Sequence, residues 1–159
     1  KGVRVETTTL NRDDPREKST AFIGQSDEER KHLAKEGIFE ALLVKNGRIL
    51  EGMTSNFFYV AQVGNLRYIA TASKDILLGV TRTMVIRAAR GRGLEVRFRP
   101  LRLDQLSCAK EAFITSSSRG VVPVIQIDDV RVGQGSPGRI TKLLMKAYDE
   151  YVLKHAEKI

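Results

Sequence analysis

Residues 40–71 read EALLVKNGRILEGMTSNFFYVAQVGNLRYIAT and contain four apolar runs separated by short polar segments. The first two runs flank Lys45-Asn46-Gly47, and Asn-Gly between apolar runs is a strong β-hairpin signal because both residues tolerate positive φ. The next two runs, 57–63 and 66–70, are joined by Gly64-Asn65, which are turn residues of the same kind. The stretch therefore predicts two consecutive β-hairpins.

Further strands and separate helices surround the hairpins. The patterns predict strands at 3–9, 94–99, 112–115 and 121–127, and helices at 26–37, 80–92, 103–109 and from Pro137-Gly138 onward. Pro123 has no N–H group, so its strand is expected at a sheet edge or at a bulge. Hairpins mixed with separate helices predict an α+β fold with a mixed sheet rather than a doubly wound parallel sheet.

Composition narrows the class of protein. The chain has 159 residues, and 27 Lys and Arg against 19 Asp and Glu give a formal net charge of +8. This length suits one ordinary domain. Since no apolar run approaches the roughly 20 residues of a membrane span, and residues 1–6 are too polar for a signal peptide, we expect a cytoplasmic protein without a membrane partner.

One cysteine and two distant histidines exclude a disulfide framework and a His/Cys metal cluster within one copy.

The basic excess concentrates in one segment. Seven arginines lie between Arg82 and Arg102, with Glu95 as the single acid among them. Such an excess is typical of nucleic-acid-binding proteins. However, Arg82, Arg87 and Arg90 alternate with apolar positions of a predicted helix, which is the pattern of a solvated face. We therefore expect no nucleic-acid partner, and a non-catalytic basic binding domain is kept as an alternative.

Three short stretches place small or polar residues where packing alone does not require them. Residues 77–81 lead into a predicted helix, with Gly79 directly before its start. The N–H groups of Val80 and Thr81 therefore point outward and can bind a phosphate, although such turns also occur without a ligand. The hydroxyls of 115–118 either satisfy a tight turn or bind a phosphate or carboxylate. Residues 51–56 place the carboxylate of Glu51 at the end of a strand. This carboxylate either belongs to a functional site or lies in a surface turn.

Taken together, the stretches resemble three signatures of the class IV aminotransferases: EGMTSNFF at 51–58, LGVTR at 78–82 and AFITSSSRGVVPV at 112–124. Their order and intervals fit, and the likeness continues into the last helix through SPGRIT at 136–141. This family of pyridoxal 5'-phosphate (PLP) enzymes includes branched-chain aminotransferases, D-amino-acid aminotransferases and aminodeoxychorismate lyases. The resemblance implies that residues 1–159 are the larger, barrel-like, C-terminal domain of a fold type IV PLP enzyme. It also leads us to expect that the smaller N-terminal domain is missing from the chain.

The resemblance assigns three residues to the cofactor's reactive end. Lys18 matches the lysine that forms the Schiff base with PLP and then carries the proton during catalysis. Glu51 matches the carboxylate that keeps the pyridine nitrogen protonated, which strengthens PLP as an electron sink. Leu77 matches a residue that packs on the face of the ring. Among the many lysines of the chain, only the resemblance singles out Lys18.

Four further residues are implied to bind anionic groups. The cofactor phosphate is expected on the N–H groups of Val80 and Thr81 and on the hydroxyl of Ser117. The N–H of Ser118 is expected to meet the substrate carboxylate. No metal is expected in this site.

The implied activity is transamination of a branched-chain L-amino acid or a D-amino acid with a 2-oxo acid, in a homodimer. Two positions depart from many relatives, because Phe22 replaces a Tyr that hydrogen-bonds the cofactor's phenolic oxygen and Gly120 replaces a Glu. Since Ser-Arg-Gly-Val-Val-Pro also occurs in the lyases, the alternative within the family is aminodeoxychorismate lyase, which releases pyruvate and 4-aminobenzoate.

Overall fold

The computed structural model describes residues 1–9, 31 and 34–156. Lys18, Phe22 and the predicted helix start at Ser26 lie outside the described residues. The strands are β1 (Val3–Thr8), β2 (Glu40–Lys45), β3 (Arg48–Gly52), β4 (Asn56–Val63), β5 (Leu66–Thr71), β6 (Glu95–Phe98), β7 (Leu101–Arg102), β8 (Glu111–Ser116), β9 (Gly120–Ile127) and β10 (Val130–Arg131). The helices are α1 (Val80–Gly91), a 3₁₀ helix (Leu103–Cys108) and α2 (Arg139–Ala156).

Both predicted hairpins are present with the expected turn chemistry. β2 pairs antiparallel with β3, and β4 pairs antiparallel with β5. In the first turn Asn46 has a φ of 53° and Gly47 a φ of 72°, and Gly64 in the second turn has a φ of 59°. These are left-handed conformations that Gly and Asn adopt more readily than other residues. The local turn signals therefore determine where the strands end.

Six strands close into a barrel within a larger mixed sheet. β1 pairs in parallel with both β2 and β9. The other neighbours around the ring, β2–β3, β3–β4, β4–β8 and β8–β9, are antiparallel. The ring is completed by the β3–β4 pairing, where Glu51 lies opposite Asn56. The expectation of an α+β fold with a barrel-like mixed sheet is thereby confirmed.

The strand that carries Pro123 is not at an edge. β9 pairs with β8 on one side and with β1 on the other. Its pairing with β1 begins at Val124 and shifts register before Gln126, so the proline lies just before that ladder begins. The edge alternative is therefore excluded, and the irregular register directly after Pro123 agrees with the alternative of a bulge.

Apolar residues alternate between the two faces of the barrel wall. Phe57 and Tyr59 belong to the cluster inside the barrel, whereas Phe58 and Val60 belong to a second cluster outside it. The outer cluster is covered by α1 and α2 and includes Phe113, whose ring centroid lies 4.9 Å from that of Phe58. Both helices are amphipathic, and within the described ranges no helix has the length and apolar character that crossing a membrane requires.

A buried carboxylate attaches α2 to the barrel. Glu111 on β8 accepts hydrogen bonds from the N–H of Ile140 at 3.2 Å and from the N–H of Thr141 at 2.7 Å. A negative charge at a helix N-terminus is stabilised by the helix dipole. A Cβ at Gly138 would overlap the Glu111 side chain, so the helix can begin this close only with glycine at that position. The contact fixes where the rest of α2 lies against the barrel.

Candidate active site

The three polar stretches meet at one end of the barrel. Glu51 at the end of β3 pairs with Asn56 at the start of β4, and Asn56 pairs in turn with Thr115 on β8. The side-chain amide of Asn56 also donates a 2.7 Å hydrogen bond to the carbonyl of Leu77, in the loop before α1. Stretches separated along the chain by tens of residues therefore form one continuous site.

Glu51 is a buried carboxylate held by two donors. Its side chain is 1% exposed, and its Oε2 accepts hydrogen bonds from the N–H of Leu77 at 3.1 Å and from Nδ2 of Asn56 at 3.3 Å. Burying a carboxylate is costly unless hydrogen bonds compensate for the lost water. The surface-turn interpretation of this residue is therefore wrong, and Glu51 supplies a buried negative charge at this end of the barrel.

Asn56 is a site residue that the sequence analysis did not single out. Its side chain is 5% exposed and connects Glu51 with the loop that leads into α1. A Cβ at Gly79 would lie 2.5 Å from Oδ1 of Asn56. The sequence signal that could have identified Asn56 was its position at the end of the polar residues that follow Glu51. Its contacts with Leu77 became visible only in the fold.

The N-terminus of α1 is suited to bind an anion. Gly79 is the N-cap, and among the described residues no side chain caps this helix and no acid occupies its first turn. The first N–H groups of a helix have no partner within the helix, and its dipole attracts negative charge. Val80 is 65% exposed at this end, whereas Thr81 is buried. The N–H groups of both residues thus lie at a helix N-terminus, and their role as phosphate ligands stays a prediction.

Arg82 does not lie on a solvated face. Its side chain is buried, and Nη2 donates a 3.0 Å hydrogen bond to the carbonyl of Ala72. Burial lowers the pKa of its guanidinium, and the nearby charge of Glu51 opposes that effect. Arg82 therefore contributes a buried positive charge close to Glu51 and behind the N-terminus of α1. The expectation of a fully solvated arginine stripe is wrong at this position.

The hydroxyl-rich turn forms the third part of the site. Thr115 is buried, and its Oγ1 has no hydrogen-bond partner within the described part of the chain. Ser117 and Ser118, in the turn between β8 and β9, are exposed. Buried hydroxyls normally have partners, so Thr115 marks a place where a polar ligand atom can complete the hydrogen bonding.

Tyr148 on α2 connects the turn with the N-terminus of α1. Its hydroxyl lies 3.4 Å from Oγ1 of Thr81. A Cβ at Gly120 would lie 3.0 Å from Cε1 of Tyr148, and Gly120 has a φ of 67°, which favours glycine. Glycine at position 120 therefore gives the tyrosine ring room to lie against the turn.

The close approach at Gly79 leads to a stability prediction with a matched control. We expect Gly79→Ala to lower the free energy of unfolding by about 1–3 kcal/mol, because the new Cβ would overlap Oδ1 of Asn56. At Gly91, the last residue of α1, a Cβ would meet no atom within 4 Å, so Gly91→Ala is expected to be neutral or to stabilise by up to about 1 kcal/mol. Urea denaturation of both variants measures the difference. Equal stability of the two variants would contradict the contact.

These residues fit a ligand that has an anionic group and a protonated ring nitrogen. Glu51 supplies a buried negative charge, and the uncapped N-terminus of α1 supplies N–H donors. The unpartnered Oγ1 of Thr115 is available for a further polar contact at this end of the barrel. PLP carries a phosphate and a pyridine nitrogen, so this donor set fits it.

Comparisons with known proteins show the family of this chain. The family model for amino-transferase class IV matches residues 3–127. The D-alanine aminotransferase of Bacillus licheniformis is 35% identical over 120 residues, which cover 76% of this chain and 42% of that protein. The branched-chain-amino-acid aminotransferase of Salmonella typhimurium is 33% identical over 130 residues, which cover 82% of this chain and 40% of that protein. The chain thus spans less than half the length of these curated relatives.

Solved structures show the same fold. The branched-chain amino acid aminotransferase of Thermobaculum terrenum, solved in its PLP form, has a TM-score of 0.83 at 29% identity and covers 96% of this chain and 52% of that one. The branched-chain aminotransferase of Thermoproteus uzoniensis, solved with norvaline, has a TM-score of 0.84 at 26% identity. The match covers 99% of this chain and 53% of that one. The matched residues include all three stretches that meet at the barrel end, and the chain belongs to the class IV aminotransferase family.

Proposed function

We propose that this chain is the cofactor-binding part of a PLP-dependent transaminase that acts on a branched-chain L-amino acid or a D-amino acid. In this proposal residues 1–159 form the larger domain of the enzyme, and a 2-oxo acid accepts the amine. The observation that carries the proposal is the buried Glu51 carboxylate, which is hydrogen-bonded to the N–H of Leu77 just before the uncapped helix α1.

The family resemblance and the burial of Glu51 support the proposed roles around the cofactor ring. PLP, when bound, supplies an electron sink that stabilises negative charge at the substrate Cα. Glu51 holds a proton on the ring nitrogen, and its low exposure keeps water from weakening that interaction. Asn56 and the N–H of Leu77 keep the Glu51 side chain in place. The Leu77 side chain packs on the face of the ring.

The proposed anion contacts lie on the neighbouring loops. The N–H groups of Val80 and Thr81 and the hydroxyl of Ser117 bind the phosphate, since a helix N-terminus and a hydroxyl-rich turn both favour an anion. The N–H of Ser118 binds the substrate carboxylate. Lys18, outside the described residues, is proposed as the amine that joins the cofactor covalently and then carries the proton to and from the substrate Cα.

The substrate classes are proposed from the relatives. The D-alanine and branched-chain aminotransferases match the chain at nearly the same identity, so both classes are carried forward. A homodimer is proposed as the assembly. The second candidate is aminodeoxychorismate lyase, and the specific observation in its favour is Gly120, whose left-handed backbone and missing Cβ set this turn apart from one that carries Glu.

An assay of two reactions tests the proposed function. The purified full-length enzyme, of which residues 1–159 are the proposed larger domain, is loaded with PLP and supplied with leucine, valine or D-alanine together with 2-oxoglutarate, and separately with aminodeoxychorismate. We expect glutamate to form from at least one donor and no pyruvate to be released from aminodeoxychorismate. Pyruvate and 4-aminobenzoate without amine transfer would favour the lyase. A colourless full-length protein that catalyses neither reaction would contradict the proposal and favour a non-catalytic binding domain.

A further inference from the structure

A fully buried glutamate lies beside the site but outside the set of proposed cofactor contacts. Glu40, the first residue of β2, is 0% exposed. Its Oε1 accepts hydrogen bonds from the N–H of Thr54 at 3.0 Å and from the Thr54 hydroxyl at 2.8 Å, and its Oε2 accepts one from the hydroxyl of Ser55. Glu40 therefore holds the loop between β3 and β4.

Arg119 reaches the same carboxylate from the opposite loop. Its Nη2 lies 3.4 Å from Oε2 of Glu40 and donates a 2.8 Å hydrogen bond to Oγ1 of Thr54. Its Nε donates to Oγ of Ser116 at 3.2 Å, and its guanidinium carbon lies 4.9 Å from the ring centroid of Phe39. The planar guanidinium thus contacts three segments of the chain simultaneously.

The two loops joined in this way carry proposed cofactor and substrate contacts. The loop at 53–55 follows the strand of Glu51 and leads into Asn56. The turn at 117–119 contains Ser117 and Ser118, and Ser116 at its start also accepts a 3.3 Å hydrogen bond from the backbone N–H of Arg119. A shift of the arginine side chain would therefore release the turn from the loop that it faces.

Burial makes this ion pair different from the pairs on the surface. The Arg119 side chain is 23% exposed and Glu40 is 0% exposed, whereas Arg102 and Asp104 form a 2.7 Å pair with 53% and 63% exposure. Solvent screens an exposed pair and permits several geometries. A buried pair with several hydrogen bonds favours one geometry, because each broken contact leaves a charge without compensation.

We propose that Glu40 and Arg119 are positioning residues that hold the turn at 117–119 in the geometry in which Ser117 meets the cofactor phosphate. The inference rests on the proposed function, since it assigns a role toward the same PLP site. Arg119 acts through the hydrogen bonds that its guanidinium donates to Ser116, Thr54 and Glu40, and not as a direct ligand of the phosphate.

The test compares binding of PLP with binding of pyridoxal, which lacks the phosphate. Dissociation constants are measured by absorbance titration for the native protein and for Arg119→Gln. We expect the Kd for PLP to rise by about tenfold or more, as when a hydrogen bond to a charged group is lost, and the Kd for pyridoxal to change by less than about twofold. Arg102→Gln removes an exposed pair and is expected to change neither constant. Equal changes for both ligands, or no change for PLP, would overturn the inference.

Arg119→Lys separates positioning from a simple charge effect. Lysine keeps the positive charge but lacks the planar guanidinium, so it does not reproduce the geometry in which Nε contacts Ser116 while Nη2 contacts Thr54. We expect the Kd of Arg119→Lys for PLP to show most of the increase that Arg119→Gln shows. Full recovery of native affinity in this variant would show that charge alone is needed and would contradict the positioning role.

A second variant keeps the test decisive if Arg119→Gln fails to fold because Glu40 is left buried and unpaired. The double variant Glu40→Gln with Arg119→Gln removes both charges, and we expect the same loss specific to PLP. Native selectivity for PLP over pyridoxal in the double variant would overturn the inference while leaving the proposed function intact. A native protein that binds neither ligand would instead contradict the proposed function itself.

Discussion

Replacing Lys18 with Ala is expected to abolish both the borohydride-reducible visible absorption and the turnover of the full-length, PLP-loaded protein. In the proposed function this amine provides the covalent bond to the cofactor and the proton transfer at the substrate Cα. Loss of the proton transfer alone is expected to lower kcat by about 10²–10⁴-fold. Absorbance spectra before and after borohydride, together with single-turnover kinetics, measure both effects.

Lys35 provides the matched control for this experiment. It is an exposed lysine in the same part of the chain, so Lys35→Ala removes the same charge without the proposed covalent bond. We expect that variant to keep the absorption band and the native rate. If Lys18→Ala retained both properties as well, the covalent role would have to be assigned to a different lysine.

Replacing Glu51 with Gln is expected to leave PLP bound but to slow turnover by about 10²–10³-fold, which is the scale for losing one preorganised electrostatic contact. Glutamine can still accept the hydrogen bond from the N–H of Leu77 through its amide oxygen, so the local structure should persist. It cannot supply the negative charge that keeps the ring nitrogen protonated. The reduction should therefore appear in kcat more than in the Kd for PLP.

The control for the carboxylate is Glu95→Gln, which neutralises an acid in an exposed pair with Arg97 on β6. We expect native kcat and native PLP affinity for this variant. A native kcat in Glu51→Gln would show that Glu51 does not support the cofactor's function as an electron sink. A Glu51→Gln protein that lost PLP altogether would instead indicate that Glu51 acts mainly in binding.

The fold could be predicted where the signal was local. The hairpin turns at Asn46-Gly47 and at Gly64 were read directly from residues that adopt positive φ, and the strands on both sides followed from apolar runs. Helix α2 followed from apolar positions at helical spacing after Pro137-Gly138. Each of these features depends on neighbours within a few residues, so one sequence is sufficient to identify it.

The residues alone did not predict closure of the barrel; only the family resemblance implied a barrel-like domain. β1 pairs in parallel with β2 and with β9, and no turn residue encodes a pairing between strands so far apart. The same limit explains why the sequence left both an edge and a bulge open for Pro123, because whether a strand lies at an edge depends on which distant strand pairs with it. Arg82 was misplaced for a similar reason, since the contact with Ala72 that accompanies its burial comes from outside its own helix.

The site was predictable in its motifs but not in its supporting contacts. The stretches containing Glu51, Val80-Thr81 and Ser117-Ser118 were recognised because their residue types and order resemble the family. Glu40 and Arg119 were missed, because they are 79 residues apart and each looks ordinary locally. The available signal for Glu40 was a single acid at the start of an otherwise apolar strand, which in a buried position requires a partner.

Peptide mapping after borohydride reduction tests the central claim most directly, because it asks which nitrogen joins the cofactor. The native protein is loaded with PLP, reduced, digested and analysed by mass spectrometry. We predict a phosphopyridoxyl group on Lys18 and on no other lysine. A protein that remains unlabelled, or that carries the label on another lysine while Lys18 is unmodified, would contradict the account.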